Sequence, residues 1–470
     1  MSSNPQSSAA PKISPVLDPG FQPAVLANRA FLSACDESGS ASDIGIALEQ
    51  ADGSIYRTIT QALPDHDDNL AANAVHVERL VKFLLWSRGA RRVHIAGPQS
   101  LVDRLQAHYR DTPAGRFDAD IMGDKIYGHP FEIVRVESDE LPEGKSSVAP
   151  LGRHLDGCRI GFDLGASDRK VAALVDGEVL FSEEVEWDPR PQTDPQWHFD
   201  QIMACLKSAA DKLPRVDAIG GSSAGVLVNN QVRIASLFRG VPEELFKTRV
   251  RNLFKEIKQA WNDIPFEIVN DGEVTALAGS MAINDNAVLG IAMGSSEAVG
   301  YVNPDGNITS WLNELAFAPV DHNPEAATDE WSGDYGCGVQ YFSQQAVGKL
   351  IPCAGIEVPP DMPLPDQLKH VQSLMADGDD RARKIYQTIG TYLGYSLAHY
   401  ADHYDYRTVL ILGRVTTGEG GELIINGAKD VMKLEFPALA EKIGFHIPDE
   451  KEKRHGQAIA AASLPTIPKA

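Results

Sequence analysis

Residues 160–177 alternate between apolar and polar or small side chains, then stop alternating. Ile160, Phe162 and Leu164 are separated by Gly161 and Asp163, the period of two expected of a strand with one buried face. Residues 165–169 read as a small polar turn, 170–175 as a second apolar run, and Asp176-Gly177 as a hairpin signal into a third, 178–183. The segment therefore predicts a three-stranded meander. Residues 289–306 repeat the pattern as strand, Gly294-Ser295-Ser296 turn, strand and Asp305-Gly306 turn. A further meander is predicted near the N-terminus, with strands at 30–35, 44–49 and 54–60.

The helical stretches fit between these. Val75, Val77, Leu80, Val81, Leu84 and Leu85 give residues 72–87 an apolar helical face. Strand 92–96, helix 100–109 and strand 131–136 follow. After the central meander the same order returns as helix 197–213, strand 218–221, helix 242–261 and strand 266–269. Both series end on Phe-Glu-Ile-Val, beginning at Phe131 and Phe266, so duplication of one α/β lobe is expected. The copies differ where chemistry would sit: Arg135 follows the first and Asn270-Asp271 the second. Further helices are expected at 339–350, 365–376, 380–404 and 420–434, with a strand at 408–412 and a small-residue closing helix at 456–462. His399 and His403, four apart on a predicted helix with Asp402 between them, have a spacing that can ligate metal, but near a helix end they read as surface or capping positions. The expected organisation is a disordered tail at 1–24, a degenerate α/β lobe at 25–140, a linker at 141–157, and two lobes at 158–278 and 279–465.

Composition narrows the function. With 43 basic against 65 acidic residues the formal charge is -22, which repels phosphodiester backbones and makes nucleic acid an unexpected partner. Five scattered cysteines lack C-x-x-C spacing, so reduced thiols and a cytoplasmic location are expected. No apolar run approaches membrane-spanning length, and no membrane partner is expected. A homo-oligomer is compatible with the sequence.

The central turn carries a carboxylate, a glycine and a hydroxyl at Asp163, Gly165 and Ser167. A glycine lets backbone approach a ligand, amides and a hydroxyl hold phosphate oxygens, and the acid handles a hydrated metal ion. An ordinary hairpin with a polar tip has the same pattern; recurrence at Gly294-Ser295 favours two phosphate turns facing one nucleotide. Asp271 ends a strand beside Asn270 and is the candidate base for moving a phosphoryl group onto an alcohol, although Asn-Asp-Gly is also a common turn.

In these features the chain resembles the sugar kinase, actin and heat-shock ATPase superfamily, and within it the ROK family of sugar kinases and sugar-responsive repressors. The resemblance implies a two-lobed, ribonuclease H-like α/β fold, here with an extra N-terminal lobe, and glucokinase-like phosphorylation of a sugar by ATP with Mg. It implies ATP contacts from Asp163, Gly165, Ser167, Gly294, Ser295 and Gly413, with Asp163 acting on Mg through water. Asp271 would be the base, and Gly225, Asn270 and Glu314 would face the sugar. Several positions depart from the family. Phe317 stands where a histidine ligand is usual, only Cys337 remains of a cysteine-rich zinc segment, and a sugar-binding glutamate aligns with Val339, so zinc is expected to be lost. Glu297 adds a carboxylate at the second phosphate turn, and Arg414 replaces a glycine in the adenosine turn. These departures keep a second expectation open, a relative without catalysis that binds a metabolite or nucleotide as sensor or scaffold. A DNA-binding repressor is disfavoured because the N-terminal region predicts no helix-turn-helix.

Overall fold

The computed structural model describes residues 10–146, 151–448 and 450–468; residues 1–9 of the expected tail and 147–150 of the expected linker lie outside them. The first unit comprises α1 (Ala24–Ser38), β1 (Ser42–Glu49), β2 (Ile55–Ala62), α2 (Asp67–Arg88), β3 (Arg92–Ala96), α3 (Gln99–Asp111), α4 (Pro113–Asp120) and β4 (Glu132–Val136). Its sheet runs β2-β1-β3-β4; β3 and β4 are parallel, and β1 is antiparallel to both β2 and β3. Residues 30–35 are not a strand. They belong to α1, where Val25, Leu26, Phe31 and Cys35 form a buried helical stripe. The expected N-terminal meander is thus a hairpin behind a helix.

Residues 10–24 are not a disordered tail. Phe21 is buried against Tyr392, with ring centroids 4.8 Å apart, and the Ile13 and Leu17 amides donate to Tyr395 Oη (3.3 Å) and Thr388 Oγ1 (3.2 Å). Three spaced apolar side chains, Ile13, Leu17 and Phe21, anchor this strap.

The second unit contains β5 (Cys158–Leu164), β6 (Asp168–Val175), β7 (Glu178–Glu186), α5 (Pro195–Ala210), β8 (Ala218–Ser223), β9 (Val226–Val228), β10 (Gln231–Ile234), α6 (Glu243–Thr248), α7 (Leu253–Ala260) and β11 (Phe266–Asn270). Its sheet order is β11-β8-β5-β6-β7, with β5, β8 and β11 parallel. The helix expected at 242–261 is broken by a 3-10 turn at Val250–Asn252, which turns Val250, Leu253, Phe254 and Ile257 into the core.

The third unit has α8 (Asp271–Ala282), β12 (Val288–Met293), β13 (Glu297–Val302), α9 (Gln344–Cys353), α10 (Leu364–Ala376), α11 (Asp380–Ala401), β14 (Thr408–Leu412), α12 (Glu419–Glu435), α13 (Pro437–Ala440), β15 (Gly444–His446) and α14 (Glu450–Ala462). Its sheet order is β13-β12-β14-β15. The closing helix α14 returns to the second unit. A Cβ at Gly161 would lie 1.8 Å from the Ala458 carbonyl oxygen and one at Gly220 1.7 Å from that of Ala461, so only glycine admits the helix this close.

The second unit has its own core around Phe162, Leu206, Phe254 and Phe266. The first and third units share one: Val77, Leu84 and Trp86 of α2 belong to the same buried cluster as Tyr392 and Leu397 of α11. His399 is at this seam. It is buried against Phe83 at 4.5 Å between centroids, not at the surface, and burial lowers its pKa to about 3. A buried ion-pair network crosses the same seam: Lys82 reaches Asp118 (3.0 Å) and Asp334 (2.9 Å), and Arg79 also pairs with Asp334 (2.8 Å).

Candidate active site

The parallel strands of the second unit bring their C-terminal ends together. Register places Asp163 beside Ser222 and Ser222 beside Val269, and one step further Leu164, Ser223 and Asn270. Ser222 Oγ donates to Asp163 Oδ1 at 2.7 Å, and Lys170, opposite Asp163 on β6, sits 3.7 Å from Oδ2. Burial raises the Asp163 pKa, and the hydrogen bond and Lys170 oppose the shift.

Asn270 caps α8. Its Oδ1 accepts from the Gly272 amide at 2.7 Å, and its Nδ2 donates to the Gly225 carbonyl at 2.8 Å. Gly225 has φ +115°, and a Cβ there would lie 2.3 Å from the Ile234 carbonyl oxygen, so glycine is required for this contact. Asp271 is the first residue of α8 and accepts from the Gly272 amide at 3.0 Å. Burial, followed by the charge of Asp163, raises its pKa to about 6. A carboxylate with that pKa is ionised near neutrality yet basic enough to take a proton.

Across the cleft, β12 and β14 are parallel neighbours. Gly294 and Ser295 form the turn after β12, and the Gln344 amide at the start of α9 donates to the Gly294 carbonyl at 2.9 Å. Gly413 follows β14 with φ +99°, so close to β12 that a Cβ would meet Met293 O at 2.3 Å. A 510 Å³ cavity joins the two sides, lined by Lys170, Asp271, Thr275, Gly413, Arg414 and Thr417 among others. Arg414 is exposed along its wall. Glu297 was expected to crowd phosphates, but it does not line this cavity. Ala298 does, and the pleat sends Glu297 to the opposite face, against Gly338.

Ser167 faces elsewhere. Its hydroxyl donates to Asp168 at 2.9 Å and lines a groove with Glu184, Glu186 and Asp188, whose charges disfavour phosphate. Gly165 is tied into the same turn, its amide donating to Asp168 O (2.9 Å) and its carbonyl accepting from Trp187 Nε1 (2.8 Å).

A second cavity, of 140 Å³, adjoins Asn270 and Glu314 and is also lined by Glu267, Glu273 and Trp311, with Gln50, Asp52 and Tyr127 from the first unit. Burial, then the charge of Asp271, raises the Glu314 pKa to about 7. The loop bearing Glu314 hangs on the last turn of α2: the Asn313 amide donates to Ser87 O (3.1 Å) and the Glu314 amide to Trp86 O (2.9 Å). Helix C-terminal carbonyls lack intrahelical partners, which makes them natural anchors. Arg88, fully buried, lies 3.6 Å from the Trp311 ring centroid, 4.4 Å from that of Tyr404 and 4.6 Å from that of Tyr56. Phe317 stacks on Trp86 at 4.3 Å between centroids, so that position is aromatic packing. Cys337 is buried, which pushes its pKa up to about 12. Among the described residues no group of three or more His, Cys, Asp and Glu is arranged to hold a metal ion, and no helix is long and apolar enough to cross a membrane.

Lys170, Glu273 and Arg88 join the site without having stood out in the sequence. Lys170 had a signal, since a tight hairpin puts it opposite Asp163. Glu273 follows two residues after the candidate base on a helix start. Nothing in the local pattern around Arg88 pointed to Glu314.

No family model matches the sequence, and no curated protein matches it. Among solved structures, the chain is similar to the ROK hexokinase from Thermus thermophilus, with a TM-score of 0.52 and 16% identity over 65% of this chain and 96% of that one. It is also similar to a ROK family transcriptional regulator, a homologue of the E. coli Mlc protein, with a TM-score of 0.50 and 19% identity over 66% of this chain and 79% of that one. Identities this low speak to architecture alone. The chain shares the mixed α/β fold of these ROK structures.

Proposed function

We propose that this protein transfers the γ-phosphoryl group of ATP to a hydroxyl of a sugar or sugar derivative. The observation that carries this reading is the position of the Asn270-Asp271 pair between two cavities: Asp271 lines the one with Lys170 and Gly413, and Asn270 lines the one with Glu314. In the reaction the acceptor hydroxyl gives its proton to the Asp271 carboxylate, its oxygen bonds to the γ-phosphorus, and the bond from phosphorus to the β-γ bridging oxygen breaks to release ADP. Asn270 and Glu314 hold acceptor hydroxyls, and Gly225 fixes the Asn270 amide. Lys170 and Arg414 offer positive charge to the phosphates and Gly413 a close-approach wall, while the Gly294-Ser295 turn stands next to Gly413 at the end of β12, outside the residues that line the cavity.

The donor set near Asp163 and Asp271 is hard oxygen, which fits a hydrated Mg²⁺ held through water by Asp163. Bound there, Mg²⁺ would offset phosphate charge. Gly165 supports the same turn, and Ser167 would join it only by giving up Asp168. That last point favours a second reading, a catalytically silent relative that binds nucleotide or metabolite. ADP release by the purified chain against a panel of sugars separates the two, with Asp271→Asn as control. Sugar-dependent release that Asp271→Asn abolishes is expected of the kinase; nucleotide binding without release in any case supports the silent relative.

A further inference from the structure

The acceptor cavity gathers more carboxyl groups than a neutral sugar needs. Asp52, Glu267, Glu273 and Glu314 line it, and among the described residues no lysine, arginine or histidine does. Behind Glu314 lies Glu297, 3% exposed, with neither carboxylate oxygen hydrogen-bonded among the described residues. A Cβ at Gly338 would lie 2.3 Å from Glu297 Oε2 and 2.5 Å from the Leu315 carbonyl oxygen, which puts this carboxylate under the Glu314-Leu315 backbone. Glu273 is fixed on the other side, accepting from Asn313 Nδ2 and from the Tyr301 amide at 3.2 Å.

The charges that act on these groups are other carboxylates. Burial and then Glu314 raise the Glu297 pKa to about 8. Burial raises Glu273 to about 8 with Glu314 adding to it, and Glu314 itself responds to Asp271. The Tyr400 hydroxyl opposes the shift at Glu297, and the Asn313 and Tyr301 hydrogen bonds oppose it at Glu273. A buried carboxylate is costly unless a cation or hydrogen bonds compensate it. Among the described residues no cation pairs with Glu314 or Glu297.

We propose that the acceptor supplies it: an amino sugar, or another amine-bearing polyol, whose ammonium is received by Glu314 with Glu273 and Glu297 behind it. Sugar acids and sugar phosphates are rejected by the same charge. The inference concerns binding; it rests on the kinase reading only for what happens next.

The test is calorimetric binding, and ADP release, with 2-amino sugars of gluco, manno and galacto configuration beside their neutral parents, their N-acetyl derivatives and gluconate. At least one amino sugar is expected to bind about tenfold more tightly than its neutral and N-acetyl counterparts, with gluconate silent. Glu314→Gln and Glu297→Gln, both near-isosteric, are each expected to cut that preference by roughly fivefold or more. Equal or tighter binding of neutral or N-acetyl sugars, no binding of any amine, or a preference unmoved in both variants overturns the inference. Failure of ADP release with amine binding retained removes the kinase reading alone.

Discussion

In the unit of residues 158–270, three parallel strands lie side by side and end at Asp163, Ser222-Ser223 and Asn270. In the unit of residues 24–136 only β3 and β4 are parallel, and the place beside β3 is taken by β1 running the other way. The end of its last strand carries Arg135 and Val136 in place of Asn270 and Asp271. Ligand sites in open α/β sheets form at the carboxyl ends of parallel strands. With β1 reversed, the first unit has two parallel strand ends where the second has three, and what it contributes comes from a helix end. The last turn of α2 holds the backbone of Glu314, and the unit shares a core with the third. One unit carries the proposed reacting groups; the other holds the loop bearing Glu314.

Asp271→Asn tests the first half of that contrast most severely. Turnover is expected to fall by about 10²–10⁴-fold with nucleotide affinity kept, measured by steady-state ADP release and calorimetry. Lys82→Ala tests the second half. It leaves Asp118 and part of Asp334 uncompensated in a fully buried seam, and an expected loss of ~3–5 kcal/mol is read from denaturant unfolding. If the first unit were an independent appendage, the loss would leave the transition of the remaining chain unmoved.

The carboxylates give a pH signature. Glu273 and Glu297 have pKa values raised from 4.5 to about 8, so their contribution to stability is full below about 4.5 and is lost as pH rises through about 8. Stability is expected to decline between those limits by on the order of 2 kcal/mol per carboxylate, and Glu297→Gln to flatten the decline. Turnover moves oppositely at lower pH, rising through about 6 as Asp271 ionises. Arg88→Met removes the cation from its ring of aromatic side chains. The acceptor KM is expected to rise about tenfold through a displaced Glu314 loop, with nucleotide KM unchanged. The smallest effect on stability is expected from Asn270→Ser, which keeps a cap on α8; the stability difference from Asn270→Ala, about 1 kcal/mol, measures the cap alone.

Strands at 92–96 and 408–412 and the passage from strand to helix at Asn270-Asp271 were legible because strong β-formers are bounded there by turn and cap residues. Residues 30–35 misled because Ala30, Phe31 and Cys35 fit either period, and only the buried stripe with Val25 and Leu26 selects the helix. Residues 10–24 looked too polar to fold, yet Ile13, Leu17 and Phe21 find a surface made by α11, more than 350 residues on in the chain. His399 was misplaced for the same reason: α2 covers it.

The amino-acid sequence by itself determined the alternation of strands and helices, the turns at Gly165 and Gly294, and the capped carboxylate at Asp271, because each depends on residues adjacent along the chain. Tertiary structure decided which way Ser167 and Glu297 face, that Lys170 and Asp271 line one cavity, and that α2 anchors Glu314. Those outcomes depend on burial and on contacts between distant segments, which local pattern does not encode.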